Sequence, residues 1–478
     1  MLFPRPMPAL FNILVCAAAL ACAPHAALAQ PLLLAQAPAP VQPPVPTPAQ
    51  PPAPAPGQPP APPAPAGERL TLEHAHMLAL QNHPGIAASG YRAQAATEVF
   101  KEARSGLLPQ VNLYGDDVEA HSDNTRIMAG GLNNPSVFDR RALGASLSQL
   151  ITDFGRTSNL SASARLQASA AGQDLEATRE QVLLEVDRAY FGALQALAVQ
   201  RVAQQTVDTR QLLLDRVSIL AANKLKSDLD VSFARVSLGD AQLLLQKAQN
   251  DSDSAMATLS AVLGFRQLQH YSLVEASPGP AGQFADVGPL IDMALKNRPD
   301  LVSLRDARDS ADRLARSQRD ARFPTISAVV DSGGAVTRDD RLPANYTAGG
   351  IQISVPVFAG GYYAARQHEA EFRAKAAAEN LRTAEDNVTR DVRIAWLNLN
   401  NSRQRLATTQ QLRDYANQAY QLADARYRAG SSSIVELSQA QLALTSAEID
   451  NTSARYDVLI QESALNYETG IRAAPQPQ

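Results

Sequence analysis

Polar and apolar positions alternate with two different periods along this chain. Val186, Ala193, Gln200, Val207, Leu214 and Ala221 stand seven apart, as do Val392, Leu399 and Leu406. Heptad spacing marks helices packed side by side along their length. The first of these stretches predicts a helix over about 157–222, roughly 100 Å long at about 1.5 Å per residue. A turn near 223–228 then returns the chain through a second helix ending near Gly264. In the later stretch the turn is Ala429-Gly430-Ser431-Ser432-Ser433, where glycine suits the left-handed residue that ends a helix.

Elsewhere the period falls to two. Ile351, Ile353, Val355 and Val357 alternate with Gln352, Ser354 and Pro356, and Leu143, Ala145 and Leu147 alternate with Gly144, Ser146 and Ser148. Such alternation predicts strands with one apolar face. Partner strands follow Pro109 (Val111, Leu113) and Pro324 (Ile326, Ala328, Val330), with polar stretches 117–141 and 332–346 read as hairpin loops. Four such strands suit either a small soluble sheet or a membrane barrel, whose signal per strand is faint.

These elements come twice. Ala79-Leu80-Gln81-Asn82-His83-Pro84 matches Ala294-Leu295-Lys296-Asn297-Arg298-Pro299, and Leu108-Pro109 matches Phe323-Pro324 at the same spacing of 215 residues. Beyond these prolines the spacing becomes 206 and stays there: Phe154-Gly155 with Gly360-Gly361, Tyr190 with Trp396, Ser227 with Ser433, Gly264 with Gly470. Length changes are tolerated in loops far better than in packed helices, so the one change belongs between Pro109 and Phe154. Each repeat opens with a helix, Leu72 to about Ser105 in the first and about Val287 to Asp320 in the second.

Composition sharpens this picture. Of 32 prolines, 16 fall between Pro31 and Pro65, and none lies in 136–277 or 357–474. Proline is excluded from helix interiors, so the two empty tracts agree with long helices. The dense cluster within 30–66 reads as a disordered Pro/Ala-rich linker, able to reach roughly 110 Å if polyproline-like. Residues 1–29 read as a secretory signal: Arg5, the apolar run Phe11 to Ala21, and Ala27-Leu28-Ala29 before the cleavage point. Both cysteines, Cys16 and Cys22, lie inside it. Ordinary cleavage leaves a mature chain without thiols; the alternative is acylation of Cys22, although Ala19 stands where a lipoprotein signal favours leucine. Net charge is −4, which gives no sign of nucleic acid as a partner. No nucleophile-elbow, dinucleotide or phosphate-loop motif is present. His74 and His76 diverge on a helix, so no metal site is expected from them. The repeats are bounded at 67–274 and 284–474.

Four pieces carry a resemblance to a known family: Leu70-Thr71-Leu72-Glu73, the repeated Leu108-Pro109 and Phe323-Pro324, Asp153-Phe154-Gly155-Arg156, and Tyr427-Arg428-Ala429-Gly430 followed by Val435-Glu436-Leu437. In this order, on a duplicated frame, they resemble the TolC-type outer-membrane efflux proteins over about 70–472. The resemblance implies a mainly α fold with a transmembrane β-barrel. Three protomers would give four strands each to one twelve-stranded barrel, continuous with a periplasmic α-helical tunnel. It implies an exit duct in the bacterial outer membrane, with a large periplasmic portion. The partners would be a homotrimer, a periplasmic adaptor protein, an inner-membrane transporter and outer-membrane lipid, with no cofactor and no catalysis. Glu436 matches an acidic residue lining the family's aperture, and Gln439 stands where the family has a second acid. At the 206 spacing Glu436 pairs with Asp230, with Asp228 nearby; threefold symmetry would give six carboxylates at one level, favouring cations. Tyr427 matches a tyrosine that holds the aperture closed. Gly430 matches the glycine of the adaptor-docking turn, with Ser431 beside it and Lys224 in its place in the first repeat. The alternative is a periplasmic coiled-coil adaptor or scaffold without a barrel.

Overall fold

The computed structural model describes residues 69–118, 125–126, 136–137, 140–275, 286–337 and 343–471. The signal segment 1–29 with both cysteines, and the linker 30–66, lie outside the described residues, as does much of 117–141.

A short strand β1 (Arg69–Leu70) leads into α1 (Leu72–Asn82) and α2 (Pro84–Ser105). The sequence predicts one helix here, and the structure corrects this to two. Proline at the first position of α2 forces the residue before it out of the helical region, and His83 is extended (ψ 119°). The same correction applies in the second repeat, as given below.

Strands β2 (Gln110–Val118), β3 (Thr125–Arg126), β4 (Ser136–Val137) and β5 (Arg140–Thr152) follow, then the long α3 (Arg156–Ala222) and its return α4 (Asp228–Val262). After β6 (Ser272–Leu273), the second repeat begins with α5 (Gly288–Asn297) and α6 (Pro299–Asp320), parted at extended Arg298. Strands β7 (Thr325–Thr337) and β8 (Asn345–Ser354) precede α7 (Tyr362–Arg428) and α8 (Ile434–Thr469). The strands run further into the predicted loops than expected: β7 continues to Thr337 and β8 starts at Asn345, because backbone pairing carries on through Gly333↔Tyr346 and Gly334↔Asn345. At the other end β8 stops at Ser354, so Val355 and Val357 lie beyond the strand; Pro356 has no amide to offer a ladder.

The main sheet has the order β2-β5-β7-β8, antiparallel throughout. Its register places Val111, Leu113, Leu143, Leu147, Val330, Ile351 and Ile353 on one face, and all are exposed. The other face carries Asn112, Asp116, Ser146, Ser148, Asp331 and Gln352. An apolar band outside and polar groups inside is the pattern of a lipid-facing barrel wall.

Away from the sheet, α3 packs along α4, α2 and α6, and α7 along α8 and α6. The first core holds Leu70, Ala75, Val186, Tyr190, Leu259 and Leu263; its counterpart holds Leu290, Leu301, Val392, Leu399 and Leu465. Each large side chain fully buried here contributes about 1.5–3 kcal/mol. The Tyr190 hydroxyl donates between the carbonyls of Leu70 (2.9 Å) and Val274 (2.6 Å), pinning the parallel pair β1–β6. Where α3 meets α6, Ser163 and Ser310 are buried with hydroxyls 2.9 Å apart, and the small side chains let the helices approach closely. The N-terminus of α3 is capped by buried Asp153, which accepts from the amide of Thr157 at 2.7 Å. His76 lies 2.6 Å from Asp187 across the α1–α3 contact.

Candidate functional site at the helical tip

The two hairpins end in turns built alike. The amide of Leu225 donates to the carbonyl of Leu220 at 2.8 Å, and the amide of Ser431 to that of Arg426 at 2.9 Å. Both bonds run back five positions and close the helix around a left-handed residue, as in a Schellman motif. That residue is Gly430 (φ 74°) in the second repeat and Lys224 (φ 59°) in the first.

Each returning helix starts with serine. Ser227 accepts from the Asp230 amide (3.2 Å), and Ser433 from the Glu436 amide (3.3 Å). Beyond that point the repeats differ. Asp230 turns back to accept from the Ser227 amide at 3.0 Å, completing a capping box. Glu436 reaches across its turn instead and accepts from Arg426 at 2.8 Å. Asp228 is exposed at the first turn of α4, near the positive end of the helix dipole.

A third small core lies just behind the turns, where Leu213, Val217 and Ala234 of the first repeat meet Ala423, Tyr427, Ile434 and Leu437 of the second. Tyr427 is buried in it, and its hydroxyl finds no hydrogen-bond partner among the described residues. Burial pushes this phenol above its ordinary value, the Asp230 carboxylate adds to the shift, and Arg216 opposes it. The ammonium of Lys226 sits 4.0 Å from the centre of the ring. The structure therefore brings Tyr427, Asp230 and Lys226 together across the two repeats. Gln439, by contrast, is exposed and lines an open groove of about 420 Å³ with Phe233, Val236, Val435 and Leu442.

Sequence reasoning missed one residue. Arg210 is 5% exposed, donates to the Ser237 hydroxyl at 2.7 Å and is hydrogen-bonded to buried Gln441. It thus joins α3, α4 and α8 a few turns behind the tip. Burial pushes its guanidinium below the usual value, against the attraction of Tyr420 and Asp240.

A four-stranded sheet with an exposed apolar face, joined to two hairpins whose longer helices each have 67 residues, is the arrangement of a membrane barrel wall continued by a helical duct. The model of the family described as Outer membrane efflux protein matches residues 76–265 and 290–470, and the chain belongs to that family. It is 25% identical over 418 residues to the outer membrane protein TolC of Escherichia coli (strain K12), covering 84% of this chain and 82% of that one. It is also 25% identical over 419 residues to the alkaline protease secretion protein AprF of Pseudomonas aeruginosa, covering 84% and 85%. Among solved structures, the outer-membrane channel OprN superposes with a TM-score of 0.73 at 20% identity, covering 84% of this chain and 89% of that one. CusC gives 0.72 at 20% identity, covering 84% and 92%. The chain is an outer-membrane exit duct for efflux or secretion; the alternative of an adaptor without a barrel is set aside.

Proposed function

We propose that three copies of this chain close one twelve-stranded barrel and one helical tunnel. The duct would work passively and without catalysis, receiving cargo from a periplasmic adaptor and an inner-membrane transporter. Residues 1–29 would direct export, 30–66 would tether, and the repeats 67–274 and 284–474 would form the duct. The observation that carries this reading is the sheet itself. Its outer strands β2 and β8 each leave one edge unpaired, and a long unpaired edge in a membrane has to be closed by another strand.

In this reading the tips are the gate. Gly430, Ser431 and Lys224 form the surface that meets the adaptor, and Tyr427 wedges the two hairpins together. Glu436 and Asp230 ring the aperture, with Asp228 at its rim and Gln439 making it less acidic. Arg426 mutes the charge of Glu436 in this arrangement. An exposed pair of this kind contributes at most about 1 kcal/mol, so an entering cation can displace it. In planar bilayers, multivalent cations should block the pore, and Glu436→Ala should weaken that block. Block that persists unchanged in the variant would remove Glu436 from the aperture. Heat-modifiable trimers in outer-membrane fractions are expected for the assembly.

A further inference from the structure

On the polar face of the sheet, one register level reads Tyr114, Gly144, Gly333, Tyr346 across β2, β5, β7 and β8. The two tyrosines start from the outermost strands, three strand spacings or about 14 Å apart. Their hydroxyls nevertheless hydrogen-bond to each other. They reach only because both rings lie across the glycines between them. A Cβ on Gly144 would stand 2.6 Å from the Tyr114 ring, and one on Gly333 would stand 2.6 Å from the Tyr346 hydroxyl. Neither glycine has a left-handed backbone. At Gly144 the ring above is what excludes a side chain, and at Gly333 the Leu143 carbonyl oxygen, 2.7 Å away, does so together with the Tyr346 ring, so the flat bridge fits only over this glycine pair.

Two carboxylates flank it. Asp116 lies two positions beyond Tyr114 on β2, and Asp331 two positions before Gly333 on β7. The pleat puts both on the tyrosine face, about 7 Å to either side of the bridge along the strands. Rings lying against a wall turn their free faces inward, and the face of a phenol ring attracts cations. Carboxylates above and below extend that preference over the length of a small planar molecule. A neutral ring would gain from the stacking alone, and an anion would be repelled.

We propose that the tyrosine bridge is a binding site for planar organic cations on the inner wall of the barrel. It would sort cargo at the exit, far from the helical tip. This rests on the duct reading above, and the experiment separates the two. Methyl viologen is a planar dication that does not dissolve in lipid, and 4,4′-bipyridine is its neutral parent. Either would be added on the extracellular side of planar bilayers holding the full-length trimer. The wild type is expected to be blocked by methyl viologen and far less by bipyridine. The double variant Tyr114→Ala with Tyr346→Ala should need about tenfold more viologen for half block, the loss expected of two ring–cation contacts. Tyr114→Phe with Tyr346→Phe keeps both rings and should stay within about twofold of wild type. Gly144→Ala, which forces the Tyr114 ring off the wall, should weaken block by a second route if the alanine pair does not assemble. Equal block in wild type and in the ring-less or ring-displaced variant overturns the site, and so does a phenylalanine pair that loses as much as alanine. A wild-type chain that inserts no conducting pore would instead remove the duct reading on which the site depends.

Discussion

At Lys224 and Gly430 the backbone takes the same left-handed conformation, but only glycine does so without crowding its own Cβ. The strain at a residue such as Lys224 is about 1–2 kcal/mol. Lys224→Gly should therefore steady the first tip, and Gly430→Ala should loosen the second by about 1 kcal/mol. Hydrogen exchange at the Leu225 and Ser431 amides reads both turns directly; slower exchange at Ser431 in Gly430→Ala would contradict the assignment. This residue scale also shows what a sequence hides. The glycine announces its turn, whereas the lysine is found only through the 206-residue spacing. Arg210 is hidden more deeply, since it sits among Asp208, Thr209 and Gln211 and reads as part of a solvated face. Its partners Ser237 and Gln441 lie 27 and 231 residues away, beyond any local pattern.

Among elements, the long helices were the most legible, because heptads and the absence of proline report the same fact. The proline-broken helices were misread as single ones. Apolar spacing runs through the break, while the break depends on backbone sterics at His83 and Arg298. Burial works against the charge on Arg298, yet its ion pairs with Asp300 and Glu468 hold the guanidinium above its ordinary value. They brace the break against the end of α8. Strand ends were misread too, because pairing continues through glycine and polar residues that resemble a loop. The α7–α8 packing also has a pH dependence. Burial raises the Glu448 carboxyl above its ordinary value, with Arg413 pulling the other way. Between its unfolded and folded values the folded chain holds a proton that the unfolded chain has lost. Stability therefore falls as pH rises through that window. Glu448→Gln should raise the thermal midpoint of the protein at pH 7 and leave it unchanged below pH about 4. An equal shift at both pH values would point to packing rather than to charge.

For the whole molecule, Arg210 is a tie between halves. It holds α8 of the second repeat against α3 and α4 of the first, behind the tip core that both repeats share. Removing the guanidinium leaves the buried Gln441 amide oxygen without its donor, an orphaned group that costs about 1–3 kcal/mol. Arg210→Met should therefore lower the thermal midpoint, and its hairpins should part more readily. The expected result is a larger resting conductance in planar bilayers; an unchanged one would show that the tip core alone keeps the halves together. The duplicated frame and the duct class could be read from the chain. The halves' mutual grip could not, because it is made of contacts between repeats rather than within them.

The two longest helices, α3 and α7, each have 67 residues. Adding seven residues to one of them, and seven to the helix that returns from it, would leave the apolar stripes facing the same way, yet carry that turn about 10 Å past the other hairpin's. A partner seated on a level rim would meet a staggered one. A level rim thus survives a change of length only when four helices, α3, α4, α7 and α8, change together.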